Sequence, residues 1–247
     1  MDATSTNIFE PLKTKAKSLY RTVFPRTHQK YSYSQEGEDR ILARIFGFNR
    51  NSGFYIDVGA FHPQEHSNTY LFYQKGWRGI NIDARPGSME IFKKIRPKDI
   101  NLEIPISNTK QKLTYYIFNQ QALNGFSQEL SLERDRTGMG DFKAKLVSQI
   151  ELETSTLSEI LDKYLPPNQT IDFLSIDVEG LDYEVIQSNN WDKYKPTIVL
   201  VEDTQMITIN QNTQTQITSF MKEKGYQLFG KTVYTLIFKA DDFRGEY

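Results

Sequence analysis

Two carboxylates stand at the ends of apolar runs, each followed closely by a glycine. Phe54-Tyr55-Ile56 leads into Asp57, with Gly59 and Ala60 just beyond; Phe173-Leu174-Ser175-Ile176 leads into Asp177, with Glu179 and Gly180 just beyond. Unbroken apolar runs of this kind read as parallel strands buried on both faces. Ligands of open α/β sheets bind past the carboxyl ends of such strands, so both acids are expected at one rim, over one crevice. Three more acids end similar runs: Asp83 after Gly79–Ile82, and Glu202 with Asp203 after Ile198–Val201.

The residues after Asp57 narrow the ligand. A dinucleotide turn needs Gly-x-Gly-x-x-Gly to receive a pyrophosphate. This turn holds one glycine, then Phe61, His62 and Pro63, and a carboxylate there repels phosphate. It suits a cationic ligand such as S-adenosylmethionine, which carries an ammonium and a sulfonium and no phosphate. An acid roughly 20 residues past the glycine turn can accept hydrogen bonds from ribose hydroxyls, the place of Asp83. Its plainer reading is a cap for the helix that begins near Pro86.

These side chains must be positioned by alternating strands and helices. Strands are expected at 54–58, 79–83, 100–106, 113–118, 146–152, 171–177 and 198–201. Helices are expected near 63–75, 87–95, 157–165, 182–188 and 213–224. Thr156-x-x-Glu159 forms a capping box, and Ser34 can cap a helix carrying Ile41 and Leu42. The chain closes with a hairpin, 226–229 and 232–238, turning at Gly230-Lys231. Such alternation gives a mostly parallel α/β sheet with an antiparallel edge. Residues 119–143 break the rhythm and read as a surface insertion over the crevice. Residues 1–30 form a separate basic amphipathic segment, and 31–247 a single domain.

With 38% hydrophobic and 25% charged residues, the chain is globular rather than disordered. A net charge of −1 argues against a nucleic-acid binder that relies on a bulk field. The lack of cysteine excludes disulfides, thiolate metal sites and thiol nucleophiles. No apolar run reaches the ~18 residues of a membrane span, so cytoplasmic residence is the expectation. Residues 7–23 suit either packing on the domain or on a second subunit, or peripheral contact with the anionic inner face of a membrane.

Phe54–Ala60, Gly76–Ile80, Asp83, Ile171–Gly180 and Ile198–Glu202 together resemble the FkbM-type family of S-adenosylmethionine-dependent methyltransferases. The resemblance runs over about residues 33–240 and is most specific at Ile176–Gly180. It implies a class I methyltransferase fold with a seven-stranded Rossmann-like sheet, and O-methylation of a sugar or glycoconjugate. By resemblance, Asp57, Gly59, Ala60 and Phe61 meet the methionine part of the cofactor. Asp83 and Ala84 meet the ribose, and Ser107 follows the third strand beside the adenine. Asp177 lies next to the transferred methyl, and Gln35 closes over the cofactor.

The acceptor's proton needs a base. Asp177 is the first candidate, with Glu179, His62 and His66 behind it; Glu179 suits acceptor binding or helix capping equally well. If the strands of Asp177 and Glu202 are neighbours, Asp177, Glu202 and Asp203 converge as hard oxygen ligands for Mg²⁺ or another divalent ion. The acceptor pocket is expected from the insertion and the loop after Asp203, with Asn124, Phe126, Ser127 and Tyr183 as contacts. Three rival readings remain open at this point: a nucleotide-dependent oxidoreductase, a metal-dependent hydrolase using Asp177, Glu202 and Asp203, and a catalytically silent binding module on the same fold.

Overall fold

The computed structural model describes residues 31–203 and 215–245. The basic segment 7–23 and the loop after Asp203 lie outside the described residues. A seven-stranded sheet organises the chain in the order β3-β2-β1-β6-β7-β9-β8. Its strands are β1 (Phe54–Val58), β2 (Arg78–Asp83), β3 (Ile100–Glu103), β6 (Phe173–Ile176), β7 (Ile198–Glu202), β8 (Tyr226–Lys231) and β9 (Thr235–Ala240). The first five are parallel, and β9 and β8 add antiparallel pairs at one edge. This is the architecture expected from the sequence. The central strands β1 and β6 are buried at every position, which explains their unbroken apolar runs.

Helices cover both faces. Residues of α5 (Leu157–Tyr164), α6 (Asp182–Gln187) and α7 (Gln216–Glu223) pack on Ile56, Val58, Leu174 and Val199. On the other face, α1 (Glu38–Ile45) and α2 (Tyr70–Gln74) pack on Tyr55, Phe173 and Leu200. Successive residues of one strand thus feed opposite layers. Helix α3 (Met89–Ile95) packs through Met89 and Phe92 against Ala60. The capping box Thr156–Glu159 is formed, with both reciprocal hydrogen bonds. No helix among the described residues is long and apolar enough to cross a membrane.

Three expectations change. The helix placed at 63–75 shrinks to α2, because His62 Nδ1 accepts Gln64 N and Glu65 N in a turn and His66 takes φ +52°. The C-terminal turn is at 232–234, where Thr232 N reaches Thr235 O at 2.9 Å; Gly230 instead sits inside β8 at a register shift. The insertion is not bare loop. It carries α4 (Gln128–Thr137), capped by Ser127 Oγ and ended by Gly138 at φ +64°. It is framed by a separate two-stranded sheet of β4 (Lys112–Phe118) and β5 (Leu146–Glu153).

Candidate active site

The strand order reverses between β1 and β6, and a cavity of about 570 Å³ opens beyond their carboxyl ends. Gly59, Asp177 and Val178 line its base. Asp83, Ala84, Arg85 and Ile104–Ile106 line one flank, and Tyr115, Asn124 and Phe126 of the insertion another. Four of its lining residues, Phe61, His66, Met139 and Glu179, hold left-handed backbone although none is glycine. Each such residue costs about 1–3 kcal/mol and persists only where its surroundings enforce it.

The two strand ends that open the sequence argument touch each other here. Asp177 N donates to Val58 O at 3.0 Å. A Cβ on Gly59, whose φ is +83°, would lie 1.7 Å from Asp177 O. Gly59 is therefore needed for passage of its neighbouring strand end, a closer constraint than the ligand approach expected from sequence.

Asp83 lines the cavity with its carboxyl held by the backbone. Its Oδ2 accepts Phe61 N at 2.9 Å and its Oδ1 accepts Arg85 N at 2.8 Å. Each oxygen keeps lone-pair capacity for a further donor. Burial raises its pKa, and these two backbone hydrogen bonds oppose the rise.

Asp57 turns away from the cavity wall. Its Oδ2 accepts Thr69 Oγ1 at 2.6 Å, and Thr69 Oγ1 accepts Arg96 Nη1 at 3.0 Å. Arg96, at 0% exposure, also donates from Nε to Asp99 and from Nη2 to Tyr55 Oη, at 2.9 and 2.8 Å. Asp57 thus belongs to a buried network that ties α2 and α3 to β1. Burial raises its pKa, opposed by Thr69 and Arg96. Ala60 is packed against α3, and Ser107 is buried with its N–H on Ser155 O. Neither lines the cavity; Phe61, Ala84 and Gln35 do. His62 is held in its turn, outside the wall, and burial lowers its pKa. His66 lines the wall.

Asp177 and Glu202 form the acidic centre. Both lie on the face of the sheet that continues Phe173 and Leu200, and the Glu202 charge acts on the Asp177 carboxyl. Asp177 is exposed and opens onto the cavity. Its pKa is raised well above the usual range by desolvation, then by the charges of Glu202 and Glu179. Glu202 is pushed up to about 8 by burial and by Glu179 and Asp182. Both shifts give the folded state extra protons. The stability that goes with them is complete below the ordinary carboxyl pKa of 4.5 and is lost as pH rises through about 8. Glu202→Gln removes this penalty. Its melting temperature is expected to exceed the native one by roughly 2–8 °C at pH 8.5, for about 1–2 kcal/mol, and to match it at pH 4.5. Thermal melts at the two pH values check the sign.

Asp203 does not join them. Side chains alternate along β7, so Asp203 follows Val201 to the opposite face. It lines a second cavity of about 360 Å³, beside Asp182 and Ile217. Among the described residues no group of three His, Cys, Asp or Glu side chains could hold a metal ion, and the expected triad of Asp177, Glu202 and Asp203 is corrected on this ground. Arg134, Met139, Glu179 and Glu202 line both cavities. Arg134 Nη2 pairs with Glu179 Oε2 at 2.5 Å, and its Nη1 donates to Leu123 O at 3.0 Å. Of the expected acceptor contacts, Asn124 and Phe126 line the larger cavity and Tyr183 the smaller; Ser127 is spent on capping α4.

Tyr115, Arg134 and Tyr234 also line the larger cavity and were not anticipated. One comes from β4, one from the insertion and one from the hairpin turn. Gln35 and Tyr234 share an anchor: Glu36 Oε2 accepts Thr232 Oγ1 at 2.5 Å and Tyr234 N at 3.0 Å. Glu38 Oε1 adds a bond from Thr235 Oγ1 at 3.2 Å. The acids of Ser34-Gln35-Glu36-Gly37-Glu38 are thus the signal, read as a clasp rather than as ligand contacts.

The family model of the methyltransferase FkbM domain matches residues 57–228. No curated protein sequence matches the chain. Among solved structures, methyltransferase FkbM from Methylobacillus flagellatus KT aligns with a TM-score of 0.45 at 10% identity, over 76% of this chain and 44% of that one. The chain thus spans less than half the length of that protein. The family model runs from Asp57 at the end of β1 to Leu228 in β8, across both acidic strand ends, and the chain belongs to the FkbM methyltransferase family.

Proposed function

We propose that the chain transfers a methyl group from S-adenosylmethionine to a hydroxyl of a sugar or glycoconjugate. Family membership supports methyl transfer over the oxidoreductase and hydrolase readings. The observation that carries the cofactor is the pairing, in one cavity, of Asp83 with the acidic centre Asp177–Glu202. A carboxylate with spare lone pairs suits a ribose diol, an uncompensated acidic centre suits a sulfonium, and the turn after β1 has no glycine cradle for phosphate. About 570 Å³ falls within the range of small-molecule sites.

When bound, the cofactor supplies an electrophilic methyl group on a good leaving group. The chain's residues then have two tasks. Asp83 fixes the nucleoside, so that the methyl end faces Asp177. The acceptor lies in the smaller cavity, whose wall reaches the acidic centre through Glu202. The ionised member of the Asp177–Glu202 pair, the other keeping its proton, receives the hydroxyl proton as the new O–C bond forms and the methyl–sulfur bond breaks. A base with a pKa raised toward neutrality is better matched to a hydroxyl than an ordinary carboxylate. The carboxylates of Glu133, Glu184 and Asp203 around that cavity disfavour phosphorylated or acidic acceptors.

Calorimetry tests the reading directly. The native protein is expected to bind S-adenosylmethionine and S-adenosylhomocysteine with a Kd on the order of 10 μM, about −7 kcal/mol. An absence of heat at millimolar ligand overturns it.

A further inference from the structure

The strand that leads into the insertion carries a polar group that the proposed reaction does not use. Tyr115, on β4, is 5% exposed, yet it lines the larger cavity. Its ring packs on Phe126 with centroids 4.8 Å apart, which fixes its plane. The charges that act on its hydroxyl are those of Asp83, Arg85 and Glu179, so the oxygen sits among the walls of this cavity. The Asn124 side chain stands beside it, anchored by Oδ1 accepting Phe118 N at 2.8 Å. That anchor fixes the Asn124 amide, whose buried nitrogen makes no hydrogen bond to the described residues. The Tyr115 hydroxyl is thus not committed to Asn124, and its proton is available to a ligand. Burial and the neighbouring carboxylates raise the phenol's pKa, which keeps that proton in place.

The placement is rigid. Gly125 pairs back on Tyr116, with Tyr116 N on Gly125 O at 2.9 Å and Gly125 N on Tyr116 O at 3.3 Å. A Cβ on Gly125 would lie 2.8 Å from Glu179 O, so the segment is pressed against the loop after β6. A hydroxyl held at the cavity wall in this way can donate to a ligand with little reorganisation. The acceptors nearest Asp83 in the cofactor reading are ribose oxygens and ring nitrogens of the base.

We propose that Tyr115 is a cofactor-binding residue of β4, donating its phenolic hydrogen bond to the nucleoside held by Asp83. The inference rests on the cofactor reading above. It gives the β4–β5 sheet that frames the insertion a share in cofactor recognition.

Tyr115→Phe removes the oxygen and keeps the ring on Phe126. Calorimetry of the full chain with S-adenosylhomocysteine and with 5′-methylthioadenosine, which keeps the nucleoside and lacks the amino acid, reads the contact. Both affinities are expected to fall by about tenfold, and by the same factor, with the melting temperature unchanged. Native-like affinity for both ligands in the variant overturns the proposal. So does a loss confined to S-adenosylhomocysteine, which would place the contact on the amino-acid end. A native protein that binds neither ligand is a different failure, that of the cofactor reading itself.

Discussion

Replacing Asp177 by asparagine is expected to lower methyl transfer by about 10²–10⁴-fold, the range for loss of a general base, while S-adenosylhomocysteine still binds. The substitution conserves shape. Asparagine keeps the side chain's size and polarity beside Glu202, but it cannot take a proton from an acceptor hydroxyl. Asp177 contributes its carboxyl to the cavity, and its backbone to β1 through Val58 O; the backbone part survives. S-Adenosylhomocysteine lacks the sulfonium charge, so its binding reports on the nucleoside and amino-acid ends alone. Transfer of labelled methyl groups to a saccharide acceptor, read beside calorimetry, separates the two roles. Unchanged turnover would remove Asp177 from the chemistry. Loss of S-adenosylhomocysteine binding together with activity would make it a structural residue instead.

Gly59→Ala is the second large effect, and it falls on folding before function. A left-handed backbone costs an L-residue about 1–2 kcal/mol. Overpacking adds about 1–3 kcal/mol, and a Cβ 1.7 Å from the Asp177 carbonyl cannot be relieved by a side-chain rotation because its neighbour is backbone. Together they predict a fall in melting temperature of roughly 10 °C, with cofactor binding lost as the two strand ends separate. Gly87→Ala supplies the control. Its φ is +80°, nearly the same, but an added Cβ meets nothing within 4 Å. It should show the backbone cost alone, a few degrees, with binding intact. Equal melting temperatures for the two variants would refute the close-contact account.

Those two glycines also show where sequence reading succeeds and where it stops. That β1 and β6 are central strands was legible because burial on both faces leaves an unbroken apolar run. That Asp83 and Asp177 face one crevice followed from strand ends alone. Asp57 obeyed the same rule and shares its face with Asp177, yet it enters a buried network because its register partner is Ser175, two residues deeper in the sheet. Alternation carries Asp203 away from Glu202. Asp57 reaches Arg96, 39 positions on at the far end of α3, only through Thr69. Nothing local announces that network. His66 takes left-handed backbone, and the helix expected from 63 begins only at Tyr70.

The clasp between Glu36 and the 232–234 turn sets a timetable for synthesis. Its two sides are 196 residues apart, and they carry Gln35 and Tyr234 into one cavity wall. Strand β9 must also insert between β7 and β8, although it is made after both. A nascent chain on the ribosome, extended through β7 and α7, therefore has its acidic centre and Asp83 but only part of its cavity wall. The cavity wall is completed late, when the last hairpin emerges and closes a loop of about 196 residues. Until then, the exposed edge of β7 depends on chaperones or on its own brevity to avoid pairing with another chain.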